Sequence, residues 1–183
     1  SSRIDELVDN LTAVAGMLKV GDATVRDTLV GPVVSEAQRD SVEAFIRGGV
    51  DAGATLVCGG ERPDLPGYFV PPTLLADCTA DMHAVREEAF GPVVVVLAHD
   101  DDDEAVALAN DSNYGLASYV YSGDNARALS IARQIQSGSV ALNSIVLHTD
   151  APFGGFKLSG IGRDRGLAGL EAYSEVQAIS WVS

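Results

Sequence analysis

Apolar residues at Ile4, Leu7, Val8, Leu11, Val14, Ala15 and Leu18 repeat at the spacing of one helix face, and this predicts a first helix that ends near "KVGD". A second helix starts after Ser35. Ser35 and Gln38 read as a capping box, and Val42, Phe45 and Ile46 form the stripe that follows. It should give out around Gly48, Gly49 and Gly53. "ATLVCGG" is a short apolar run closed by glycines, which predicts a buried strand. "PDLPGYFVPPTLL" holds four prolines. Proline cannot donate to a sheet ladder, so an edge strand or extended arm is expected there.

The strongest strand signal is "PVVVVLAHD", Pro92 to Asp100. It is apolar on both faces, as a central parallel strand would be. After it come a short helix in "DDDEAVALANDSNYG", a strand in "LASYVYSGD", a helix in "DNARALSIARQIQSG" and a strand in "SVALN". Asp124 is the expected N-cap of the later helix and Gly138 its stop. Alternation at this spacing predicts an α/β fold of βαβ units around a parallel sheet. Beyond Asn143 the chain becomes loop-like and glycine-rich, passes through a short helix in "LAGLEAYS", and ends in the alternating "EVQAISWVS". A terminal strand needs an edge to pair with, and another subunit can supply one.

The composition narrows the function classes. At 183 residues the chain is about one domain long and can bury a core. Its 12 basic and 26 acidic residues give a net charge of −14, which repels nucleic acid and anionic lipid. No run approaches the roughly 20 apolar residues that span a bilayer. The polar, acidic opening "SSRIDELVDN" shows no secretory leader, so the expected compartment is the cytoplasm, and the abrupt helical start reads as a cut. Cys58 and Cys78 form no CxxC pair, which argues against zinc and thioredoxin-like chemistry.

Several candidate sites resolve into structural readings. The acidic run in "HDDDDEAV" suits a helix start, where carboxylates meet the positive end of the helix dipole. "SGIGRDRG" lacks the G-x-G-x-x-G spacing and the strand-to-helix context of a dinucleotide loop. Its glycines point instead to unusual backbone angles and close packing. Cys58 lies in an apolar run. Cys78 neighbours Asp77 and Asp81, which would hinder thiolate formation. His83, His99 and His148 have no metal-ligand spacing, although His148 stands in the late loop beside Asp150.

"EEAFGP", residues 87–92, has two readings. It could be a surface turn with solvated glutamates and Phe90 tucked into the core. Alternatively, a carboxylate accepts hydrogen bonds from a diol such as a ribose while the phenyl ring faces something flat.

The ordered series "GPVVSEAQRDSVEAFI", "GATLVCGG", "GYFVPPTLL", "REEAFGPVVVV", "GSVALN", "APFGGFKLSGIGRDRG" and "GLEAYSEVQAI" resembles the aldehyde dehydrogenase superfamily over nearly the whole chain. The EExFGPV and PFGGxKxSGxGR pieces are its specific parts. Ala89 replaces a larger aliphatic residue, and Asp164 stands where the family usually has Glu. The resemblance implies that Glu88 binds the nicotinamide ribose of NAD or NADP and that Phe90 packs by the nicotinamide ring. It implies that Phe153 lines the aldehyde pocket, and it makes Leu147 and His148 candidates for tuning specificity.

The family's nucleophilic cysteine, in a GQxC-like stretch, has no counterpart here. The resemblance therefore implies the C-terminal part of an aldehyde dehydrogenase, incomplete at its N-terminus. Residues 1–172 would be a partial catalytic domain, and 173–183 a strand that associates subunits into a homo-oligomer. Alone, the segment is expected to be inactive. A free-standing binding or oligomerisation module is the competing reading, as is a superfamily reductase acting on acyl phosphates or thioesters.

Overall fold

A computed structural model of the chain describes residues 3–146 and 148–182. The chain divides into two compact units, Ser1–Asp100 and Asp101–Ser183.

In the first unit, α1 (Ile4–Met17) follows the predicted stripe but contributes no buried residue. The α2 helix (Glu36–Asp51) is capped as expected, with Ser35 Oγ accepting from the Gln38 backbone N–H at 3.1 Å. It runs through Gly48 and Gly49 before ending. Gly49 brings α2 close to the sheet, since a Cβ there would lie 2.8 Å from Leu75 Cδ1.

The sheet has the order β1-β2-β3, from β1 (Thr55–Cys58), β2 (Thr73–Ala76) and β3 (Val93–Val95). β1 pairs with β2 antiparallel, and β2 with β3 parallel. This corrects three expectations. The "ATLVCGG" strand is an edge with a half-buried Cys58, not a buried strand. "TLLA", directly after the prolines, is the fully buried central strand. Pro71 and Pro72 precede the ladder, which begins with the Thr73 N–H donating to Pro92 O at 2.9 Å, so their missing donors cost nothing. "VVV" takes the other edge, with Val94 48% exposed. A run of valines marks burial only when both neighbouring strands are present. The core gathers Val42 and Ile46 of α2 with Val70, Leu75, Cys78, Met82 and Ala84. The short α3 (His83–Arg86) leads into "EEAFGP".

The second unit holds α4 (Asp102–Asn110), β4 (Ala117–Val120), α5 (Asn125–Ala132), β5 (Ser139–Leu142) and α6 (Gly166–Glu171). β4 and β5 are parallel and joined through α5, so the predicted βαβ unit forms. Asp124 caps α5 by accepting from the Ala126 and Arg127 N–H groups, as expected. Asp101 caps α4, accepting from Glu104 N at 2.9 Å, which gives the acidic run its place at a helix start. Asn143 ties the strand ends together: Oδ1 accepts from Ser122 N at 2.8 Å and Nδ2 donates to Ser122 O at 2.9 Å. Residues 174–182 form no helix or strand and are exposed. The alternating terminal pattern thus has no strand partner among the described residues.

Candidate functional site

The "EEAFGP" turn is built by three contacts within the first unit. Glu87 closes α3 in an extended conformation. Gly91 lies so close to α2 that a Cβ there would stand 2.7 Å from Val42 Cγ2. Between them, Gln38 Nε2 donates to the carbonyls of Ala89 at 3.2 Å and Phe90 at 3.1 Å. With its amide NH2 turned to those carbonyls, the Gln38 side chain makes no return bond to the Ser35 N–H, the half of the box that its Oε1 would supply. Only half of that box forms.

Phe90 adopts a left-handed backbone, φ 50°, and the residue is 76% exposed. The expectation that it tucks into the core is overturned. A bulky residue in this region costs on the order of 1 kcal/mol or more and persists only where its surroundings hold it. An exposed aromatic on a strained, tethered backbone is a displayed ring. Glu88 is exposed as well, and among the described residues its carboxylate has no hydrogen-bond partner. Glu88 also borders a depression of about 430 Å³ lined by Ser41, Phe45, His83, Glu87 and Ala89. The His83 and Phe45 rings meet there at 5.7 Å.

The second unit has its own cavity of about 650 Å³, whose lining includes Phe153, His148, Phe156, Arg163 and Arg165. Phe153 sits on a two-way backbone bridge with Asp164: each N–H donates to the other's carbonyl at 2.7 Å. Its ring is half-buried beneath the Arg165 guanidinium, 4.9 Å from the ring centre. His148 is exposed, and its Nδ1 accepts from Asp150 N at 3.3 Å. Leu147 lies outside the described residues. Of the glycines in "SGIGRDRG", Gly160 and Gly166 take the expected positive φ, 140° and 56°, and Gly166 packs tightly, since a Cβ there would fall 2.3 Å from Asp150 O, whereas a Cβ on Gly162 would meet nothing within 4 Å. Earlier in the loop Gly154 packs against Gly138, the residue before β5: a Cβ on Gly138 would fall 1.5 Å from Gly154 O.

Cys78 behaves as a structural residue. Cys78 is buried, its Sγ lies 3.6 Å from Leu75 O, and burial pushes its thiol pKa up, with Asp77 adding to the effect. A buried, neutral thiol is a poor nucleophile. Among the described residues no group of three or more His, Cys, Asp or Glu could hold a metal ion. No helix there is long and apolar enough to cross a membrane.

The model of the aldehyde dehydrogenase family matches residues 1–179. This chain belongs to the aldehyde dehydrogenase family. It is 42% identical to a betaine aldehyde dehydrogenase of Brucella anthropi over 96% of the chain, and 41% identical to a geranial dehydrogenase of Castellaniella defragrans over 98%. It spans 37% of each relative's length. The fold is the α/β aldehyde dehydrogenase fold. An aldehyde dehydrogenase of Mycobacterium tuberculosis complexed with NAD+ matches with a TM-score of 0.92 at 41% identity, over 95% of this chain and 36% of that one. A mutant aldehyde dehydrogenase C of Pseudomonas syringae, complexed with NAD+ and octanal, matches with a TM-score of 0.93 at 41% identity, over 97% and 37%.

Sequence reasoning missed Gln38 as a contributor to the turn. Its partners are 51 and 52 residues away, and the only local signal, the capping box, pointed back to Ser35.

Proposed function

We propose that this chain is the C-terminal part of an NAD- or NADP-dependent aldehyde dehydrogenase that oxidises an aldehyde to a carboxylic acid through a cysteine thioester. Residues 1–172 belong to the catalytic domain and 173–183 to a strand that pairs with another subunit. One observation carries the cofactor role: the tethered turn holds both the Phe90 ring and the Glu88 carboxylate out toward solvent. A carboxylate with open acceptor positions suits a ribose diol, and an exposed ring suits a flat heterocycle, so these residues fit a nicotinamide nucleoside. The NAD+ complexes of the structural relatives support the same group.

When bound, the nicotinamide would supply the hydride acceptor. Glu88 would accept hydrogen bonds from the ribose hydroxyls, and Phe90 would pack by the nicotinamide ring. Phe153 forms one wall of the aldehyde pocket, and Leu147 and His148 adjust which aldehydes enter it. Neither Cys58 nor the buried Cys78 stands in a GQxC-like stretch, so the nucleophile is assigned to another part of the enzyme. The exposed apolar residues of the tail, Val176 and Trp181 among them, suit burial against a second subunit.

The test is Glu88→Gln in the full-length enzyme. Cofactor binding should weaken and the hydride step should slow while the fold is retained. Unchanged values for both would end the ribose assignment. The purified 183-residue chain should form no NADH from aldehyde. Sequencing the gene on both sides of this segment tests its placement. A dinucleotide-binding domain and a GQxC-like stretch upstream support it, whereas finding that stretch downstream would put the segment at the front of the enzyme and overturn it. A local start and stop would make the chain a free-standing module.

A further inference from the structure

The sequence places a glutamine at the third position of α2, where it would ordinarily fold back on its own helix cap. The structure spends its amide elsewhere, on the carbonyls of Ala89 and Phe90. These are the two carbonyls that bracket the left-handed residue of the turn. The other side of the turn is closed by Gly91 against Val42, a residue of the same helix. One face of α2 therefore grips the turn through a hydrogen-bonded amide and a steric stop.

We infer that Gln38 is a positioning residue for hydride transfer: its amide holds the backbone of Ala89 and Phe90 so that the Phe90 ring and the Glu88 carboxylate are displayed in register. This rests on the reading of Glu88 and Phe90 as cofactor-binding residues. Gln38 acts through the turn and is assigned no contact with the reacting atoms. Loss of the amide frees Phe90 to leave its strained conformation, and the ring's position is lost with it. A misplacement of about 1 Å can cost roughly 10²-fold in rate.

The chemistry of the tether supplies a sharp variant. Gln38→Glu keeps the shape but cannot donate to a carbonyl. Glutamate at this position also favours the helix start, both by completing the capping box with Ser35 and by meeting the helix dipole. α2 should therefore remain intact while the turn is released. Gln38→Met is the neutral non-donor, which separates the lost bond from added charge. Gln38→Lys restores a donor. Ser35→Ala removes the helix cap and leaves the tether alone.

The first measurement is backbone order at Ala89, Phe90 and Gly91 in the 183-residue chain, by heteronuclear NMR relaxation. Gln38→Glu and Gln38→Met should loosen these three residues, Gln38→Lys should recover them, and Ser35→Ala should leave them unchanged. If order is unchanged in both non-donor variants, the tether is overturned. The second measurement is the hydride step in the full-length enzyme, followed in single turnover with protiated and deuterated aldehyde. Both non-donor variants should slow it by roughly 10²-fold, with partial rescue by lysine. A loosened turn with an unchanged hydride rate would overturn the positioning role. A null result for Glu88→Gln would instead remove the cofactor reading and leave the NMR result standing.

Discussion

Two glycine-containing motifs of this chain, "EEAFGP" in the first unit and "PFGGFKLSGIGRDRG" in the second, hold their backbones by different means. The first is held by a side chain: Gln38 reaches across from α2 to two carbonyls, and Gly91 merely lets the turn approach Val42. The second rests largely on backbone against backbone, with Gly138 on Gly154 and Phe153 bridged to Asp164 in both directions, and Arg163 Nη1 adds bonds to the carbonyls of Gly155 and Gly162. A side-chain tether can be released by altering one amide. A backbone contact has nothing that can give way. The first design suits a ring that must be displayed at a definite angle. The second suits a rigid wall.

That difference makes its largest prediction at the glycines. Gly138→Ala puts a methyl group 1.5 Å from a carbonyl oxygen, so the loop must move as a whole. The cost should be about 3 kcal/mol or more, the upper end for an overpacked site. Gly91→Ala meets a side chain rather than backbone, 2.7 Å from Val42 Cγ2 and 3.0 Å from Cγ1, so less of the fold must move even though Val42 is fully buried. A cost of about 1 kcal/mol is expected. Urea unfolding of both variants checks the order, and equal losses would erase the contrast.

A smaller effect sharpens the same point in the second unit, where a further side chain ties the loop to the end of α4. Lys157, itself at φ 54°, donates from Nζ to Asn110 O at 2.7 Å and Ser112 O at 2.8 Å, just past the end of α4. Lys157→Met keeps the stem and removes the donor. The loss should be about 1 kcal/mol, because the carbonyls are exposed and water replaces the ammonium. A loss as large as that of Gly138→Ala would mean that side chains, not backbone, hold this loop.

The contrast also marks what a sequence can reveal. Local patterns were legible: the α1 and α2 stripes, the Ser35 and Asp124 caps, and the βαβ unit of β4, α5 and β5 all depend on residues near one another in the chain. The motifs themselves were legible through family resemblance. Edge and centre were not. "TLLA" lies between two partners and "VVV" beside one, and strand order is decided by pairing, not by how apolar a strand is. The outward ring of Phe90 was illegible for the same reason. Its backbone carbonyl is bonded by a glutamine 52 residues earlier whose own neighbourhood advertised a different hydrogen bond.

The smallest effect tests whether the first unit depends on side-chain tethers beyond its turn. On α2, Glu43 is held by Arg62, with Nε donating at 2.8 Å and Nη2 at 2.7 Å, and Arg62 comes from the proline-rich arm before β2. The hydrogen bond from Arg62 holds the Glu43 pKa below the ordinary glutamate range, with the charges of Arg62 and Arg39 adding to it. The sign follows from linkage. The folded state binds this proton less readily than the unfolded chain, so the contribution is present above the ordinary glutamate range and fades as pH falls through the depressed folded value. Arg62 is half-exposed, so solvent screens the pair and the effect is small. Glu43→Gln should flatten the acid limb of the first unit's stability without changing its stability above that range by more than the pair is worth. An unchanged acid limb would show that the arm is held by packing instead, as the second unit's loop is.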